Sequence, residues 1–164
     1  MPTGETDAGP PLQPRKAARL AAVQALYQMD LAGTDINIVI AEFSRLRFGA
    51  EAEDQATARA DTGFFSDLLR GVMRRQRKID PIIDRQLAEG WHLSRIDSIL
   101  RAILRSGVFE LIERTDVPVK VVINEYLDVA HAFLSGDDPR VVNGVLDKLA
   151  RRLRPAEFPN PAAG

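Results

Sequence analysis

The stretch DVPVKVVINEYLDVAHAFLSGDDPRVVNGVLDKL, residues 116–149, decides the fold. Val119, Val122, Ile123, Tyr126, Leu127, Ala130, Phe133 and Leu134 recur at steps of three and four, the apolar stripe of an amphipathic helix. Val117–Ile123 is locally β-branched, but Pro118 and the longer helical stripe argue against a strand. Pro118 suits a first helical turn, where the missing N–H costs nothing. Ser135-Gly136-Asp137-Asp138-Pro139 then stops one helix and starts the next. Gly136 offers a left-handed cap, and Asp137 or Asp138 is expected to cap the helix that Pro139 opens. In that helix Val141, Val142, Val145, Leu146, Leu149 and Leu153 share one side, and Arg140, Asn143, Asp147 and Arg151 the other.

Upstream, the helix expected over Ile96–Glu113, with Ser94 as its cap, is apolar over more than half its circumference. Such a helix belongs at the centre of a bundle. Gly107 within it costs up to ~1 kcal/mol against Ala in an open helix, so a close helix–helix approach should compensate. A long helix is expected over Gly63–Glu89, with a kink or break near Lys78–Asp80 imposed by Pro81. Its middle is basic: Arg70, Arg74, Arg75, Arg77 and Lys78. The acidic, Ala-rich segment 49–61 reads as a loop. Further helices are expected over Ile38–Phe48 and Arg15–Ala32, the latter apolar on two sides, ended by Gly33 and followed by Asp35 or Asn37 as a cap. The prediction is an all-α bundle of about six to seven helices in one domain, residues 14–154, with halves at about 14–89 and 94–154. Residues 1–13 read as a disordered arm and 155–164 as a flexible tail.

The chain has 164 residues, 45% of them hydrophobic, enough for one domain with its own core. Its formal net charge of −1 gives no general attraction to polyanions, so any nucleic-acid site must come from local clustering. The absence of cysteine excludes disulfides, thiolate metal sites and a cysteine nucleophile. No apolar run approaches the ~20 residues of a membrane span, and the N-terminus lacks a signal-peptide core, so a cytoplasmic protein is expected. His92 and His131 have no second ligand at metal spacing. Glu125 and Asp128 form a carboxylate pair of the kind common on solvated faces. No phosphate loop or hydrolase motif occurs. The sequence therefore nominates no enzyme, metal or cofactor. It does place Arg15, Lys16 and Arg19 at a helix start behind a flexible arm, with Gln24 and Tyr27 further along, a pattern suited to phosphates and unpaired bases.

AVQALYQMD (22–30), FFSDLLRGV (64–72), LRAILRSGVFEL (100–111), DVPVKVVINEYLDVAHAF (116–133) and VVNGVLDKLAR (141–151) together resemble the bacterial transcription antitermination factor NusB family. The resemblance runs from about Arg15 to Arg154. It implies two small helical bundles packed into one body. It also implies binding of boxA-type single-stranded leader RNA together with NusE, a small-subunit ribosomal protein, in the RNA polymerase elongation complex of ribosomal RNA operons. By the same resemblance the RNA-binding residues are Arg15, Lys16 and Arg19, more loosely Gln24 and Tyr27, then Phe133 and Arg140 at the last turn, and Lys78. The surface facing NusE would include Asp97, Leu100 and Arg101, with Leu100 standing where many members carry an acidic residue. Some members self-associate through the RNA surface, and the sequence leaves monomer and homodimer both open. The alternative is a helical module that binds NusE but has lost RNA binding. A related module begins a family of ribosomal RNA cytosine methyltransferases, but the enzyme reading lacks its cysteine here.

Overall fold

A computed structural model describes residues 12–49, 52 and 57–159. Among them are six α-helices and no strand: α1 (Pro14–Ala32), α2 (Ile36–Leu46), α3 (Thr62–Gln86), α4 (Ser98–Glu113), α5 (Val119–Phe133) and α6 (Asp138–Leu153). Short 3₁₀ turns at Leu93–Arg95 and Pro155–Glu157 precede α4 and follow α6. The arm over 1–13 falls outside the described residues except for its last two positions.

The wide apolar arc of α4 has the consequence expected of it. This helix packs against α1, α3, α5 and α6. Ile103, Leu104 and Val108 are fully buried along it. Helix α1, apolar on two sides, contacts α2, α3, α4 and α5. One hydrophobic cluster runs through all six helices, so the two halves expected around Gly90 share a single core. Gly107 sits where α4 meets α6 and α5. A Cβ there would stand 2.9 Å from Leu146 and 3.5 Å from Tyr126.

Local chemistry explains most boundaries. Gly33 closes α1 at φ 64, and its N–H donates to the Met29 carbonyl. Asp35 caps α2 by accepting from the Asn37 N–H. Asp61 does the same for α3 through the Phe64 N–H.

Four expectations require correction. Helix α3 runs unbroken through Pro81. The proline forfeits the bond to the Arg77 carbonyl and crowds it with its ring, while Ile79 and Ile83 on either side are fully buried and hold the helix in place. Helix α4 is capped by Asp97, not Ser94. The Asp97 carboxylate accepts from Ile99 and Leu100 N–H at 2.8 and 3.3 Å, and Ser94 lies in the preceding 3₁₀ turn. Asp137 occupies the cap position of α6 but makes no side-chain cap bond, although Gly136 is left-handed at φ 64 as expected. Residues 155–158 are not loose. Arg154 is buried and donates to the Val117 carbonyl at 2.7 Å and to Glu157. Glu157 in turn accepts from the Val119 N–H at 3.0 Å, so it caps α5, whose cap residue Pro118 has no side-chain acceptor. Residues 160–164 lie outside the described part.

Candidate nucleic-acid interface

Helices α1 and α5 lie along one seam, and the site is built on it. Lys16, near the start of α1, reaches Glu125 and Asp128 on α5. Two to three turns later, Gln24 and Tyr27 of α1 meet Phe133, the last residue of α5. These three line a groove of about 490 Å³ together with Leu31 of α1, Phe43 of α2, Arg47 just after α2 and Ile99 of α4, so its walls are mainly α1 and α2 and α5 contributes Phe133. The walls are mostly apolar. Arg47 lies over the Phe43 ring at 5.2 Å, which adds a cation to the rim. The Gln24 Oε1 is buried with no hydrogen-bond partner among the described residues. An unpaired buried acceptor is costly, so a turn of the Gln24 amide that offers it to a donor in the groove recovers that cost. Stacking surface and one unsatisfied amide are the components with which proteins hold an unpaired base.

The basic start of α1 has a different character from the one its sequence suggests. Arg19 is 3% exposed, and its Nε and Nη2 each donate at 2.9 Å to the two oxygens of Glu110, itself fully buried. The Tyr126 hydroxyl also donates to Glu110. Burial, then the Glu110 charge, holds the Tyr126 phenol well above its ordinary pKa, so it remains a donor. Arg19 is thus a strut inside the core and offers no phosphate contact. Lys16 donates at 2.6 Å to Asp128 and at 2.9 Å to Glu125. Partial burial pulls its pKa down, but these bonds outweigh it and leave the ammonium above its usual value. Arg15 lies over the Phe64 ring at 4.6 Å with Asp116 at 3.9 Å, and remains half-exposed. Each cation of the cluster therefore faces a carboxylate, and only Arg15 retains substantial freedom.

The remaining expected residues are dispersed. Arg140 is exposed in the first turn of α6, beyond the turn that follows Phe133. Lys78 is exposed on α3, no residue of which lines the groove. On the expected partner face, Asp97 is the exposed cap of α4. Arg101 is half-buried, pairs with Asp30 at 3.5 Å and donates to the Ile96 carbonyl. Leu100 is 1% exposed and belongs to the core, so it presents no surface to a partner. Its neighbour Ile99 lines the groove instead. Sequence reasoning missed Arg47, Ile99 and Leu31. Leu31 is among the most exposed large apolar residues, and an apolar residue one turn beyond Tyr27 was the available signal. No group of metal-ligating side chains occurs among the described residues. No helix there is long and apolar enough to cross a membrane.

Comparison with known proteins gives one consistent result. Residues 16–151 match the model of the NusB family. The chain is similar to the transcription antitermination protein NusB of Rhodopseudomonas palustris strain TIE-1, 54% identical over 144 residues, covering 88% of this chain and 83% of the relative. Its fold is similar to that of T. maritima NusB, with a TM-score of 0.71 and 28% identity over 85% of this chain and 92% of that one. A chain from a crystal structure of antitermination factors NusB and NusE in complex with dsRNA superposes with a TM-score of 0.69. It is 24% identical, covers 84% of this chain and 96% of its own length, and carries the fold alone.

Proposed function

The chain belongs to the NusB family, and from that premise we propose that it acts in transcription antitermination by binding boxA-type single-stranded leader RNA together with NusE. In this role it joins the RNA polymerase elongation complex in the cytoplasm. The observation that carries the RNA reading is the groove along α1, where Gln24, Tyr27 and Phe133 share one lining and Gln24 has an unpaired amide oxygen. Unpaired bases enter this groove, Tyr27 and Phe133 supply stacking, and Gln24 supplies one polar contact. Arg15 and Arg140 serve as flanking phosphate contacts, and Lys16 a weaker one because two carboxylates already hold it. Lys78 is a more distant phosphate contact. NusE is placed against Asp97 and Arg101, next to the exposed apolar end of α1 at Leu31. Leu100 takes no part, and no catalysis is assigned.

The test is fluorescence anisotropy with boxA RNA and a scrambled control at fixed salt, with and without NusE. Tighter binding to boxA that NusE strengthens is the expected result. The alternative reading, a module that binds NusE but no longer RNA, draws support from the neutralised cluster Arg15–Lys16–Arg19. It requires equal weak binding to both RNAs, unchanged by a NusE complex that nonetheless forms.

A further inference from the structure

A second groove lies between the end of α3 and α6, far along the chain from Tyr27. It measures about 440 Å³, and its lining includes Arg85, Leu87, Trp91, Val141, Gly144 and Lys148. Trp91 is 40% exposed, an unusual state for the largest side chain. A Cβ on Gly144 would meet nothing within 4 Å, so the open space extends down to the α6 backbone. A flat ring can lie there against both Trp91 and the helix. No carboxylate is among the lining residues.

The basic stripe of α3 beside this groove is unpaired, with one exposed carboxylate, Glu89, between the lining residues Ala88 and Trp91 in sequence. Arg74, Lys78 and Arg85 fall within about 40° of one another on α3 and span about 16 Å at 1.5 Å per residue. With Arg77 beside them, all are exposed and have no ion partner among the described residues. The carboxylates of α3 are already engaged. Asp67 pairs with Arg114, Asp80 holds Arg105 through both oxygens, and Asp84 accepts from the Leu93 N–H. This is the reverse of α1, where every cation of the basic start faces an acid. In a chain of net charge −1, α3 carries the unneutralised basic stripe.

The geometry points to a second single-stranded RNA site, in which an unpaired base stacks on Trp91 between Arg85 and Lys148 and the Arg74–Lys78 stripe carries the phosphate backbone. A cationic track leading to an exposed aromatic face is how sequence-tolerant single-strand binders work. The site rests on the reading of the chain as an RNA-binding protein, but not on the groove along α1; the two share only the distant phosphate contact Lys78. It would hold RNA flanking the recognised element and add affinity without sequence preference.

Trp91 is the chain's only tryptophan, so its emission reports on this groove. The full chain is titrated with a labelled oligoadenylate lacking boxA, following RNA anisotropy and tryptophan emission together. Quenching of Trp91 should track binding. Arg85→Ala/Lys148→Ala should weaken both signals and lower the log–log salt slope by about 1.4, at ~0.7 per single-strand phosphate. Gly144→Leu should abolish the quench while circular dichroism stays helical. Three results would overturn the site: saturated RNA binding with unchanged emission, no oligoadenylate binding at low salt, or an emission change driven by NusE and not by RNA. Cooperative boxA binding with NusE is measured separately, so either site can fail while the other stands.

Discussion

Arg19→Ala should destabilise the fold by about 3–5 kcal/mol, the usual cost of removing one partner from a buried ion pair. The guanidinium makes two 2.9 Å bonds to Glu110, and neither residue meets solvent to a useful extent. Its loss leaves the Glu110 carboxylate buried with the Tyr126 hydroxyl as its main remaining donor. That phenol, kept protonated by burial and by Glu110, cannot supply the missing positive charge. A double replacement, Arg19→Met/Glu110→Leu, should recover part of the loss because it leaves no orphaned charge. Urea denaturation followed by circular dichroism measures the stability. Anisotropy on the folded protein measures RNA binding, which should keep its affinity and salt slope. A loss below about 1 kcal/mol combined with a shallower salt slope would return Arg19 to the RNA surface.

Gly71→Ala should cost about 3 kcal/mol, at the upper end of overpacking in a close-packed core. The added Cβ would stand 2.1 Å from Cζ and 2.3 Å from Cε2 of Phe109, a ring that is 1% exposed and has no room to retreat. The ~1 kcal/mol that alanine normally gains over glycine in a helix cannot offset that overlap. Gly144→Ala provides the control. It sits in a helix with open space around it, so the same substitution should stabilise by about 0.5–1 kcal/mol. Thermal or urea unfolding of the two variants should therefore move in opposite directions. A Gly71→Ala protein within 1 kcal/mol of the parent would mean that α3 and α4 are not in close contact at Phe109.

The two glycines of the α3–α4–α6 contacts show what a sequence does and does not reveal. Gly107 stands inside an apolar arc, so its packing role was readable from its own helix. Gly71 stands in LLRGVMRRQ, where nothing local announces that Phe109 will press on it. The same division holds elsewhere. Helix order, the central place of α4 and the Gly33 and Gly136 turns follow from periodicity and local backbone preference. The break expected near Pro81 does not occur because buried Ile79 and Ile83 outweigh one lost hydrogen bond. For Leu100 the apolar arc of α4 implies the core and the resemblance implies the partner face, and its burial decides for the core. At the candidate site, Gln24, Tyr27 and Phe133 were each named in advance, and the fold gathers them into one groove. Lys16 and its carboxylates on α5 lie on separate helices, and no spacing rule links them. Their pairing changes the basic start of α1 from an open phosphate site to a largely neutralised seam.

The central claim is that sequence recognition occurs in the groove around Gln24, Tyr27 and Phe133 and not at the basic start of α1. It is tested most directly by the ratio of affinities for boxA and scrambled RNA, measured with NusE at one salt concentration, in Tyr27→Ala and Lys16→Ala. A base stacked on Tyr27 is worth about 1–3 kcal/mol, and one is seated there in boxA but not in the scrambled RNA, which phosphate contacts alone hold. Tyr27→Ala should therefore cut the ratio at least severalfold, while Lys16→Ala should weaken both RNAs alike and leave the ratio unchanged. A Tyr27→Ala protein with the parent's ratio, beside a Lys16→Ala protein that has lost it, would contradict the account.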